Sequence, residues 1–140
     1  MAKQIRWKDV KVGQDIPNLV RHPTGTQLVM WAGAVDDYNP MHQDVEYAKK
    51  AGYPGPIVFG PLQFAFLENM LTDWIGEGWL KKITIRHVEP AYPNEDMICK
   101  GTVTQKYKKG GENCVELQIQ AEDAKGRVCT TGTAVVTLPN

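Results

Sequence analysis

The chain has 140 residues, enough for one domain with a real hydrophobic core. Its 16 lysines and arginines balance 16 aspartates and glutamates, which argues against nucleic-acid binding, because such binders usually carry a basic excess. No apolar run approaches about 18 residues, and the start "MAKQIRWKDVKVG" has no apolar core of a secretory signal, so the chain is expected to be soluble and cytoplasmic, with no membrane span.

No linker, low-complexity tract or charge block divides the sequence, so residues 1–140 are expected to form a single domain. The stretch "GTQLVMWAGAVDD" is the first predicted helix. A second is predicted over 39–51. Asn39 is a favoured N-cap, Pro40 fits the first helical position, and Asp44 and Glu46 lie near the positive end of the helix dipole. Lys49 and Lys50 suit the last turn, with Gly52 just past it. Glycines and prolines up to Pro56 then break any helix, and 57–59 is short and apolar. From 61 to 75, Leu62, Phe64, Ala65, Phe66, Leu67, Met70, Leu71, Trp74 and Ile75 cover most of a helix surface. A helix this apolar is expected to be buried. Gly76 and Gly78 end it.

After residue 78 the hydrophobic period switches to two. Strands are predicted in "LKKITIRHV", "DMICKGTVTQKYK", "NCVELQIQAED" and "VCTTGTAVVTL", with reversals at the glycines of 110–111 and at "AKGR". In the third of these, Val115, Leu117, Ile119 and Ala121 alternate with Glu116, Gln118, Gln120 and Glu122. The economical arrangement is an α+β domain in which an antiparallel sheet wraps one long apolar helix. Such a sheet leaves edges and a flank uncovered, so self-association is expected. Cys99, Cys114 and Cys129 form no close pair and no CxxC. They are expected to be reduced sheet or core residues, with no metal site.

The chemistry concentrates in "DDYNPMHQD", which holds one of only three histidines. His42 falls at the third position of the capped helix, and Asp37 lies just before the cap. A carboxylate and an imidazole at one helix mouth can hold and activate a water, one accepting a proton while the other orients or donates. Asn39 and Pro40 would fix the entry geometry. The competing reading is an ordinary Asx–Pro helix start with a surface histidine. Gly60 stands directly before Pro61, where the unpaired N–H groups of the buried helix point out of the core. Helix starts bind anions or developing oxyanions, and a glycine lets a carbonyl oxygen approach closely. It is equally an acceptable helix cap. Together, a water-activating pair and an oxyanion site suit chemistry at an activated carbonyl.

"DDYNPMHQDVEYA" followed by "GYPGPIVFGPLQFAFL" resembles the MaoC-like hydratases, also called hydratase 2 or (R)-specific enoyl-CoA hydratases. Their motif is D-x-N-P-x-H, then a spacer and an alanine, then P-I-V-x-G. Asp37, Asn39, Pro40 and His42 match in register, as do Asp44, Ala48, Pro56, Ile57, Val58 and Gly60. "WKDVKVGQDIP" and the later strands also follow the family's order.

The resemblance implies a hot-dog fold, a homodimer or dimer of dimers, and a coenzyme A thioester as substrate. It implies a hydro-lyase in which Asp37 and His42 activate the water that adds to C3 of a trans-2-enoyl-CoA. Asn39 would orient that pair, and the Gly60 N–H would hold the thioester oxygen. No metal or separate cofactor is implied. Val35 and Asp36 stand where relatives carry a small residue and a glycine, Phe59 where they often carry histidine, and Pro61 where methionine is common. These departures spare the pair but leave the acyl group open. Phe59 and Phe64 are candidate pocket residues, with core packing the simpler account. Lys81, Lys82 and Arg86 are candidates for the coenzyme A phosphates, against the reading of ordinary solvated strand charges. The rival readings are a hot-dog thioesterase, for which Glu68 is the acidic residue on the helix before its last turn, and a subunit of a heteromeric hydratase acting on a bulky acyl-CoA.

Overall fold

Alternation at period two becomes an antiparallel sheet, and the apolar run before it becomes the helix the sheet encloses. The computed structural model describes residues 3–140. The four predicted strands are present as β2 (Trp79–His87), β3 (Met97–Lys109), β4 (Glu112–Asp123) and β5 (Val128–Thr137). The Asp123 carboxylate holds the β4–β5 turn by accepting the Lys125 and Arg127 backbone N–H groups and the Arg127 guanidinium.

A fifth strand, β1 (Leu19–Arg21), pairs with Met97–Cys99 and completes the order β1-β3-β4-β5-β2. Three residues are too few to display alternation. Tertiary pairing alone creates this edge.

The first helix, α1 (Gly25–Val35), is capped by Thr24 Oγ1, which accepts the Gln27 N–H at 3.1 Å. The helix predicted over 39–51 is broken in two. Pro40–His42 is a single 3-10 turn capped by Asn39, and α2 (Val45–Lys50) starts afresh with Asp44 accepting the Tyr47 N–H. Asp44 is therefore a second cap rather than a first-turn acid, and Gln43, at φ −146° and ψ −23°, breaks the run between the two. The long helix α3 (Gly60–Ile75) begins one residue earlier than its apolar pattern.

Leu62, Phe66, Leu67, Met70, Leu71 and Ile75 of α3 are buried against Met97, Val103, Val115, Leu117, Ile119, Ala134 and Val136 of the sheet. Each such side chain contributes about 1.5–3 kcal/mol through removal from water. Register shifts at Leu80/Lys82, Val103/Gln105 and Ala121/Glu122 curl the sheet around α3. The three cysteines are free and buried, and burial pushes the Cys99 thiol up to about 12. At neutral pH that sulfur behaves as a small apolar group. No helix among the described residues is long and apolar enough to cross a membrane.

One close approach fixes β2, the strand that leads into the site. Gly132 of β5 pairs with Ile85, and a Cβ there would collide with the Thr84 backbone carbonyl. Backbone cannot swing aside as a side chain can. Gly132→Ala is therefore expected to cost about 1–3 kcal/mol, the range for an overpacked site. A urea titration reads this as a lower midpoint with an unchanged slope.

Candidate active site

Two segments meet ahead of α3. The 3-10 turn Pro40–His42 is shaped by a relay of short polar side chains: Asp37 Oδ1 accepts the Asn39 N–H at 3.2 Å, and Asn39 Oδ1 accepts the Met41 N–H at 3.0 Å. Asp36 ends α1 with φ 57°, the left-handed conformation that asparagine and aspartate tolerate better than most residues. The turn is then stitched to the strand-like segment before α3. The Ile57 N–H donates to the Met41 carbonyl at 3.2 Å, and His42 Nδ1 lies 2.7 Å from the Ile57 carbonyl oxygen.

That second contact assigns the imidazole. A carbonyl can only accept, so Nδ1 carries a hydrogen, and in the neutral ring Nε2 is the nitrogen with the lone pair. The ring also stacks on Phe59, with centroids 3.8 Å apart and planes 22° from parallel. Phe59 is 1% exposed. It is a buried platform beneath His42 rather than a wall of the cavity.

His42, Tyr53, Gly60, Gln63, His87 and Glu89 are among the residues lining a cavity of about 340 Å³. Gly60 is the first residue of α3, and Pro61 has no N–H of its own. Among the described residues the Gly60 N–H meets no acceptor, as expected for the first turn of a helix. The chain thus brings an imidazole and a backbone donor without an acceptor to one cavity. Asp37 and Asn39 stand on the turn that carries His42 and are not part of this cavity's wall. Phe64 lines a smaller depression beside it with Gly60, Pro61, Ile85 and His87.

Sequence reasoning missed three residues here. His87, the last residue of β2, places Nδ1 2.9 Å from Thr130 Oγ1, and the Thr130 hydroxyl donates to Gln63 Oε1 at 2.7 Å. Thr130 and Gln63 are buried. The signal for Gln63 was present in the sequence: it is the one amide within the apolar stripe of Leu62, Phe66, Leu67, Met70 and Leu71. Nothing in the local pattern marks Thr130, which shares its face of β5 with apolar neighbours.

Thr130→Val keeps the shape and removes both hydrogen bonds. The Gln63 oxygen then loses its partner in a dry environment, where an unsatisfied group costs about 1–3 kcal/mol. A lowered melting temperature is expected, whereas the same change at exposed Thr133 on the same strand should be nearly silent.

The remaining candidates lie elsewhere. Lys81, Lys82 and Arg86 are exposed on β2, and Lys81 is already paired with Glu112 at 2.9 Å. Glu68 is exposed on α3 and outside the cavity wall. The third histidine, His22, pairs with Asp96 at 2.8 Å, also away from the cavity.

Residues 9–125 match the model of a family described as the MaoC-like domain. A curated relative, the peroxisomal enoyl-CoA hydratase 2 of Arabidopsis thaliana, is 35% identical over 65 residues, covering 44% of this chain and 21% of that protein. The chain thus spans well under two thirds of that relative's length. Among solved structures, an (R)-hydratase from A. caviae involved in PHA biosynthesis superposes with a TM-score of 0.83 at 22% identity, covering 94% of this chain and 99% of that one. The R-hydratase PhaJ1 of Pseudomonas aeruginosa gives 0.88 at 21% identity, covering 98% and 87%. The ChsH1–ChsH2 complex of Mycobacterium tuberculosis gives 0.79 at 23%, covering 91% and 98%. At these identities the likeness is one of fold, and the fold is the hot-dog arrangement of a curled antiparallel sheet around a central helix.

Proposed function

This chain belongs to the MaoC-like domain family, and from that membership we propose that it is an (R)-specific 2-enoyl-CoA hydratase, also able to run as a 3-hydroxyacyl-CoA dehydratase. One observation carries the reading. His42, with Nδ1 committed to the Ile57 carbonyl and Nε2 free, shares a cavity with the unpaired N–H of Gly60.

In this reading the thioester oxygen sits on the Gly60 N–H, at the positive end of α3, where a developing negative charge is stabilised. Water is held by His42 Nε2. Asp37, on the adjoining turn outside the cavity wall, acts on it as the second acid–base group through the carboxylate oxygen not taken by the Asn39 N–H. The water loses a proton as its oxygen bonds to C3, and the enolate that forms is protonated at C2. Asn39 contributes by fixing the turn that carries both groups. The thioester itself brings the coenzyme A, so no further cofactor enters the reaction. Adding a panel of trans-2-enoyl-CoAs to the protein tests the proposal directly. Loss of the conjugated enoyl absorbance supports it, and no loss across short, long and ring-bearing acyl groups rejects it.

Hydrolysis would instead release a free thiol. Glu68, the acid the thioesterase reading would use, is exposed and outside the cavity, and Glu89, which does line it, is paired with Arg127 at 3.5 Å, so hydration is favoured. The likeness to the ChsH1–ChsH2 complex favours a second assembly, in which this chain pairs with a different subunit. The short edge strand β1 and the unpaired outer edge of β2 favour association of some kind. Elution of the protein expressed alone as a dimer or larger supports the homomeric form. A monomer that becomes active only with a second chain supports the other.

A further inference from the structure

The cavity holds a second imidazole, and its orientation is set as firmly as that of His42. Thr130 has one hydroxyl hydrogen, and it is donated to Gln63 Oε1. Thr130 Oγ1 can therefore only accept from His87, so His87 Nδ1 carries a hydrogen and Nε2 is the ring nitrogen left to take or give a proton. A buried amide, a buried hydroxyl and the ring form one chain, the pattern in which a third group orients a base.

The position of Nε2 is equally specific. A Cβ built on Gly60 would lie 2.6 Å from His87 Nε2, closer to it than to any other atom. The free nitrogen thus rests against the first residue of α3, whose N–H is the donor assigned to the thioester oxygen. An acyl group held there places its C2, the carbon bonded to the carbonyl carbon, next to His87. His42 enters the same cavity from a different element, the 3-10 turn.

We infer that His87 is a second proton-transfer residue, acting at C2 while His42 acts at C3; this rests on the hydratase reading above. In the hydration direction, a water proton passes to His42 Nε2 as the water oxygen bonds to C3. The C2=C3 pair moves to form the C1–C2 enolate, whose charge lies on the thioester oxygen. C2 then takes the proton that Nε2 of an imidazolium His87 has taken up from solvent, leaving that ring neutral, and the enolate pair returns as the C2–H bond and the carbonyl. One proton has left the water and one has arrived at C2, so solvent exchange between the two imidazoles restores the starting state. Dehydration is the same path reversed, with neutral His87 removing the C2 proton.

Exchange at C2 isolates this step from the addition of water. Butyryl-CoA cannot lose water, yet its C2 protons exchange with deuterium oxide if a base and an oxyanion donor face them. The full-length protein is incubated with butyryl-CoA in deuterium oxide and followed by mass spectrometry, with hydration of a trans-2-enoyl-CoA measured in parallel. His87→Asn keeps an amide donor for Thr130 and deletes Nε2; His87→Gln is the second variant should the first fold poorly, as judged by its melting temperature.

The expected result is that the wild type exchanges, either His87 variant slows exchange about 10²-fold or more, and His42→Ala loses hydration while still exchanging. Exchange at the wild-type rate in a folded His87 variant overturns the inference, as does hydration by a wild type that exchanges nothing. Both outcomes leave the hydratase reading standing. His87-dependent exchange without hydration upholds the role of His87 and rejects the hydratase reading. Absence of both activities in the wild type rejects the two together.

Discussion

His42→Ala is expected to lower hydration turnover by about 10²–10⁴-fold, the usual effect of removing a positioned acid–base group. The fold should survive the change. His42 is only half-buried, and the turn that carries it keeps the Asn39 cap and the Ile57-to-Met41 hydrogen bond. What is lost is one hydrogen bond to the Ile57 carbonyl and the stack on Phe59, a cost of about 1 kcal/mol for the bond. Asp37→Asn is the companion test. Its amide oxygen can still accept the Asn39 N–H, so the turn persists while the negative charge disappears. A comparable fall in turnover is expected there. The measurement is steady-state loss of enoyl absorbance alongside a thermal melt, and near-normal turnover in either variant removes that residue from the mechanism.

The fold was legible because its signals are long. Nine apolar residues between 62 and 75 and four alternating segments leave few other ways to bury surface, and α3 and β2 to β5 follow from them. Short elements escaped. β1 exists only through its pairing with β3, and Asp44 caps α2 where spacing alone suggests a first-turn acid, because a cap and an early acidic residue have the same local pattern.

The candidate site divides along the same line. His42, Gly60 and the Asn39 cap sit in local motifs whose geometry spans a few residues. The relay of His87, Thr130 and Gln63 joins positions separated by 43 and 67 residues. Register alone decides that β2 ends beside Thr130. No single-sequence spacing encodes that meeting.

Gly60 shows how the structure changes the meaning of a test that the sequence suggests. From sequence alone, Gly60→Ser should spare stability and cut turnover at least about tenfold, near 1.4 kcal/mol, because the thioester oxygen needs its space. The same loss has a second source, since any Cβ at residue 60 meets the ring of His87 at 2.6 Å. A double-mutant cycle separates the two. Gly60→Ala is made in the parent and in His87→Gly, where the obstructing ring is gone, and kcat/KM is measured for all four proteins. If the glycine only makes room for His87, the added methyl is harmless once the ring is removed, and the coupling equals the whole effect of Gly60→Ala. If the oxygen itself must approach the Gly60 N–H, the methyl still costs about tenfold in the His87→Gly background, because it occupies the oxygen's approach whatever stands beyond it. That second outcome is the one expected, since Gly60 lines the cavity at the start of α3 and its N–H has no acceptor among the described residues. Its absence would leave the thioester oxygen without an assigned donor, and the placement of C2 beside His87, which is argued from that donor, would fall with it.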